Sequence, residues 1–180
     1  VVTTDTLIYR NRAGSMSRAN DGKRYDYLRW FPWSKDQTLA PAGLAGDKAV
    51  NLLEPKVSVV IPVGPGHGRY VQDAIDSVMA QSYPFWECIV VNDSGEPLFL
   101  PPWVRVIDSD VRDPGAARNL GIAQAKAQLY LPLDADDFLQ PDALQWLLSA
   151  HVQTDGAIVY PDFYEDPGTP GDYKHYRLTD

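Results

Sequence analysis

Three carboxylates fall within four residues of LYLPLDADDFLQPD, residues 129–142: Asp134, Asp136 and Asp137. Like charges at this spacing repel one another, so a positive partner is expected at them. In an extended segment alternate residues share a side, which sets Asp134 beside Asp136. Two carboxylates on one side suit a hard divalent cation. Magnesium and manganese take oxygen ligands, often one or two protein carboxylates completed by substrate phosphates. A plainer origin competes, because Asp is a common turn former and Pro141 follows closely.

Other residues pose similar choices. Asp93, in VVNDSGEP, ends an apolar run. It reads either as an acceptor for a base or ribose or as an Asx-turn former. Arg118 and Asn119 interrupt the Ala-rich GAARNLG. The arginine suits a phosphate or one of the aspartates, and the asparagine suits nearby backbone. GPGHG, residues 64–68, is a glycine turn of the kind that holds pyrophosphate in dinucleotide folds. Its spacing is GxGxG rather than GxGxxG, and Asp93 stands 29 residues past Gly64 instead of about 20, so the match is poor. His67 in that turn reads as exposed. His151, late in a helical pattern, reads as a packing or capping residue.

The elements that must position these groups are legible from Lys56 onward. VSVVIPV (57–63) is a short β-branched run, the mark of a strand buried on both faces. RYVQDAIDSVMAQ (69–81) places Val71, Ile75, Val78 and Met79 at helical spacing. WECIVVND (86–93) and VRVIDS (104–109) read as strands. DPGAARNLGIAQAKAQ (113–128) reads as a helix, with Pro114 in its first turn. LYLPLD (129–134) is a fourth strand, QPDALQWLLSAHV (140–152) a helix, and AIVYPDF (157–163) a fifth strand. This alternation implies right-handed crossovers and a largely parallel sheet, with ligands beyond the carboxyl ends of the strands. Gly64, Asn92–Asp93 and Asp134–Asp137 all fall at such ends.

Composition narrows the function. There are 24 Asp+Glu against 16 Lys+Arg among 180 residues, a formal net charge of -8. That argues against a nucleic-acid binder, which needs a basic face. No apolar stretch approaches the roughly 20 residues of a membrane span. The single cysteine, Cys88, allows no internal disulfide and no zinc spacing, and reads as a small buried hydrophobe. Residues 1–55 hold aromatics, Pro and Gly without a sustained period and read as an irregular arm or linker.

Three segments in order, VSVVIPV, AIDSVMAQSYPFWECIVVND and PGAARNLGIAQAKAQLYLPLDADDFLQPDAL, resemble the nucleotide-binding half of the family-two inverting glycosyltransferases of GT-A fold. The resemblance runs over about residues 56–163. It implies a three-layer α/β/α, Rossmann-like fold with a mainly parallel sheet, truncated in its acceptor half. Residues 56–180 would form the incomplete donor-binding domain. The implied partners are a nucleotide-diphosphate sugar, UDP-linked, and a glycan or lipid-linked acceptor hydroxyl, with Mn2+ or Mg2+ as cofactor.

On this resemblance Pro62, Val63 and Gly64, with Asn92 and Asp93, contact the nucleoside. Arg118 and Asn119 lie near the base and the metal loop. Asp134 faces ribose or metal, and Asp136 ligates the metal. Asn92 stands where many relatives have a second Asp, and GPGHGRY replaces the usual turn after the first strand. The general base is expected beyond Asp180, since Asp162, Glu165 and Asp166 come too early. The cytoplasm, alongside the inner membrane, is the expected compartment. LIYRNRAGSMSR (7–18) resembles the closing stretch of another such domain, against the alternative of a plain N-terminal arm. Two further function classes stay open: a catalytically incomplete nucleotide-sugar-binding or structural module, and a dinucleotide-binding oxidoreductase domain.

Overall fold

The structure, a computed structural model, describes residues 5–10, 56–154, 158–166 and 174–176. Its centre is a parallel sheet of four strands. They are β2 (Val57–Val63), β3 (Trp86–Asn92), β4 (Arg105–Asp108) and β5 (Leu129–Pro132), in the order β4-β3-β2-β5. β2 pairs with β3 along its whole length, Val57 opposite Trp86 and Val63 opposite Asn92. On its other side β2 pairs with β5, Val57 opposite Leu129 and Val60 opposite Pro132.

Every residue of β2 is buried, as an apolar run covered on both faces requires. Val57, Val59, Ile61 and Val63 turn to one face. There they pack with Val71, Ala74, Ile75 and Val78 of α1 (Val71–Met79) and with Ala143 and Leu144 of α3 (Ala143–Thr154). Val60 and Val91 turn to the other face and meet Ala117, Leu120 and Ile122 of α2 (Pro114–Ala123). Helices on both faces make the three-layer α/β/α arrangement. Fully buried Ile61, Ile75 and Leu144 each contribute about 1.5–3 kcal/mol of apolar transfer. Met79, placed on the apolar face by spacing, is exposed at the end of α1.

α2 lies tightly on the sheet. A Cβ on Gly121 would collide with Val60 Cγ1 and stand 3.0 Å from Val91 Cγ2. The helix begins as its sequence suggests: Asp113 caps it, accepting from Ala116 N at 2.6 Å, and Pro114 opens the first turn. It ends at Ala123, before the Ala-rich run expires. Side chains take over the backbone there. Glu87 accepts from Lys126 N at 2.6 Å, Ser58 Oγ accepts from Ala127 N at 3.2 Å, and Arg105 donates to Gln124 O.

A second, mixed sheet has the order β6-β1-β7-β8, from β6 (Phe138–Leu139), β1 (Asp5–Arg10), β7 (Asp162–Asp166) and β8 (Lys174–Tyr176). β1 runs antiparallel to β6 and parallel to β7, and β8 closes the edge antiparallel to β7. The fifth strand expected over 157–163 is corrected: it begins only at Asp162 and joins this second sheet. Pro161 has no N–H to give a ladder, so the strand starts after it. Within the expected arm of 1–55, residues 5–10 form β1, and the remainder lies outside the described residues.

Candidate functional site

Three loops leave the parallel sheet at one end, after β2, β3 and β5, with β2 in the middle. The loop after β2 starts at half-buried Gly64. Pro62 and Val63 are buried, so only their backbone lies near this edge, and Val63 O is already taken by Asp93 N at 2.9 Å. His67 is half-buried, with Nδ1 3.0 Å from Pro65 O.

The loop after β3 is a closed network. Asn92 Nδ2 donates to Glu96 O and to Asp108 Oδ1, both at 3.0 Å. Its Oδ1 accepts from Ser94 Oγ at 2.6 Å and from Ser94 N at 3.3 Å. The Asn92 side chain is thus spent inside the protein, where it shapes the turn rather than facing a ligand. Beside it, Asp93 is only 4% exposed, and its Oδ1 is buried without a hydrogen-bond partner. Such an acceptor is costly, and in native proteins it commonly marks a role. No spacing in the sequence distinguishes these two neighbours.

Arg112 was not singled out by its sequence, yet it borders this site. Its φ of 53° is unusual for a residue with a side chain. Its Nη2 would stand 3.4 Å from a Cβ on Gly95, which is itself at φ 78°. Arg112 Nε donates to Asp110 Oδ1 at 2.6 Å. That bond, then the charge of Asp110 and more weakly that of Asp93, raise the guanidinium pKa above its ordinary value. A strained, exposed cation thus stands within electrostatic reach of an unpaired buried carboxylate.

The acids after β5 ride a turn. The strand stops at Pro132, Leu133 N still donates to Val60 O at 2.9 Å, and Asp137 N donates to Asp134 O at 3.0 Å. The extended alternation expected of DADD therefore gives way to a turn, as Asp chemistry favours. Burial nevertheless alternates: Ala135 and Asp137 are buried, while Asp134 and Asp136 are half-buried. Arg118 reaches across from α2, and its Nη2 donates to Asp134 Oδ1 at 2.5 Å. Asn119, next to it, is exposed on the helix. Among the described residues no group of three or more His, Cys, Asp or Glu side chains is placed to hold a metal ion. Asp134 and Asp136 offer hard oxygen donors, which fit magnesium or manganese if other ligands come from a phosphorylated substrate.

The downstream acids lie in β7 of the second sheet. Asp162 is buried, 3.3 Å from His175 Nε2, and the His175 ring stacks on Tyr164 at 4.6 Å. Cys88 is buried in β3. Desolvation first, and then the charge of Glu87, push its thiol up to about 12, which leaves it inert at neutral pH. No helix among the described residues is long and apolar enough to cross a membrane.

The profile of glycosyl transferase family 2 matches residues 58–179, well over half of the chain. The chain belongs to glycosyl transferase family 2. Among curated relatives, an uncharacterized glycosyltransferase of Rickettsia felis is 35% identical over 107 residues, covering 55% of this chain and 18% of its own. Glycosyltransferase GlyG of Streptococcus pneumoniae is 26% identical over 130 residues, covering 67% and 43%. The chain therefore spans less than half the length of these relatives. Among solved structures it is similar to S. aureus TarS in complex with UDP, at 22% identity and a TM-score of 0.47, over 54% of this chain and 32% of that one.

Proposed function

We propose that this family 2 domain binds a nucleotide-diphosphate sugar, UDP-linked, for inverting transfer of the sugar to a hydroxyl of a glycan or lipid-linked acceptor. The observation that carries the reading is the buried, unpartnered Asp93 Oδ1 at the carboxyl end of β3. It lies in the same row of loops as the Arg118–Asp134 pair after β5. Asp93 accepts a hydrogen from the nucleoside, and so gains the bond it lacks. Gly64 lets the nucleoside approach the backbone of the β2 loop. Asp134 and Asp136 hold a divalent cation, Mn2+ or Mg2+. Such a cation would neutralise charge developing on the departing diphosphate. Arg118 supplies a further positive charge at the same place.

Calorimetry with UDP, with and without MnCl2, tests this. UDP is expected to bind, and more tightly with the metal. Asp136→Ala is expected to remove the metal-dependent part while leaving weak metal-free binding. Tight NAD binding with no response to UDP overturns the reading in favour of an oxidoreductase domain. Release of sugar from a UDP-sugar separates transfer from donor binding alone.

A further inference from the structure

Arg118 and Asp134 belong to different elements, yet both are braced. α2 is pressed onto the sheet at Gly121 and anchored by buried Ala117. The turn that carries Asp134 is tied by Leu133 N to Val60 O and by Asp137 N to Asp134 O. The ion pair is therefore set by two fixed pieces of backbone, and less conformational freedom is lost in forming it than for two free surface chains. Its side chains are 33% and 42% exposed, so a ligand can reach both.

This pair has consequences for the order of binding. Asp134 Oδ1 accepts from Arg118 Nη2 at 2.5 Å, which takes up one of its lone pairs and sets a positive charge where a cation would approach. The guanidinium charge also repels an incoming dication. A lone dication at Asp134 would bind against that charge or draw Asp134 from Arg118 and leave the guanidinium without its anion. A diphosphate reverses the balance, because phosphate oxygens give the guanidinium new acceptors and free Asp134 Oδ1.

We propose that Arg118 is a positioning residue that acts as a placeholder cation. It holds Asp134 while the donor is absent, keeps free divalent metal out, and passes to the diphosphate when metal and nucleotide arrive together. The inference rests on the donor-site reading above and adds to it an order of binding and a residue that enforces it.

Electron paramagnetic resonance of free Mn2+ measures metal uptake without any turnover. MnCl2 is titrated into the chain alone and then in the presence of UDP, for the natural sequence, Arg118→Gln and Arg118→Lys. Circular dichroism checks that each variant is folded. With the natural sequence, UDP is expected to tighten Mn2+ binding at least about tenfold, and by reciprocity Mn2+ tightens UDP equally. Arg118→Gln is expected to tighten Mn2+ alone by about fivefold and to weaken UDP in the presence of metal. Arg118→Lys, which keeps the charge, is expected to bind Mn2+ alone like the natural chain.

Unchanged Mn2+ affinity in Arg118→Gln overturns the proposal. So does a lysine variant that tightens as much as the glutamine one. Should the glutamine variant not fold, equal Mn2+ affinity with and without UDP in the natural chain overturns it alone. If UDP never binds yet Arg118→Gln still tightens Mn2+, the donor reading falls while the hold of Arg118 on Asp134 stands.

Discussion

Replacing Asp93 by Asn exchanges stability against donor binding, and both changes follow from one atom. Asp93 Oδ1 is buried without a partner, in a residue 4% exposed. Leaving a buried polar atom unsatisfied costs about 1–3 kcal/mol, and more when it carries charge. Asn is nearly the same shape, so no cavity opens, and Asp93 N keeps its bond to Val63 O. The amide removes the buried charge but still lacks one partner, so only part of the penalty is recovered. The variant also loses its attraction to Arg112, which is exposed and screened by solvent. The net expectation is a stabilisation of about 1 kcal/mol, read as a higher urea midpoint at unchanged slope. UDP affinity is expected to fall at least tenfold by calorimetry, since the charged acceptor proposed for the nucleoside is gone. A variant that unfolds more easily than the natural chain would refute the reasoning, because Asp93 would then have been satisfied by the fold rather than reserved for a ligand.

Two further substitutions probe the scaffold. Gly121→Ala should destabilise by about 1 kcal/mol: overpacking against Val60 and Val91 costs about 1–3 kcal/mol, of which helix propensity returns at most about 1. Adding Val60→Ala should recover part of that loss, and urea unfolding of the four chains of the double-mutant cycle measures the coupling. Cys88 should resist thiol reagents at pH 8 in the native chain and react at once in urea. Its folded pKa is raised from about 9 to about 12, so the unfolded chain binds fewer protons across that window and stability falls as pH rises through it. Cys88→Ala should show a shallower alkaline fall between pH 9 and 12 in urea midpoints measured across that range.

The sequence made the parallel sheet readable because its strands are apolar runs in which local pattern and burial agree. VSVVIPV becomes β2 with the same ends, and WECIVVN becomes β3. Prediction went astray where tertiary contacts outvote propensity. The helix over 113–128 stops at Ala123 because Glu87, Ser58 and Arg105, distant in sequence, capture the next backbone groups. β6 has two residues and β8 three, too short to show a period, and β1 sits in a stretch without one. At the site, the types and positions of Asp93, Arg118 and Asp134 were legible. What was not legible was which side chains the fold uses up. Asn92 and Asp93 are adjacent and similar, yet one is fully bonded and the other bare. Arg112 gave no signal at all, because a positive φ at an arginine leaves no trace in the residue type.

The same contrast says where this domain holds its chemistry ready. Below the strand ends most polar groups are satisfied and the core is dense: Ser58, Glu87 and Arg105 close one end of the sheet, although Arg105 Nε is itself buried without a partner, while Ser77, Gln81 and Gln140 bond one another and the backbone of Leu139 and Leu144. At the opposite end the rules are broken together, by a bare buried carboxylate, a left-handed arginine and an ion pair open to solvent. Local inconsistency of this kind is tolerated where something else must bind. The proposed donor, an anionic ligand brought with a dication, would answer them: it would give Asp93 a donor and Arg118 an anion, and it would let Asp134 exchange an arginine for a metal. No single one of these features would identify a nucleotide-sugar site; together they are what the proposed donor, with a hydrogen-bonding base at one end and a diphosphate at the other, would meet.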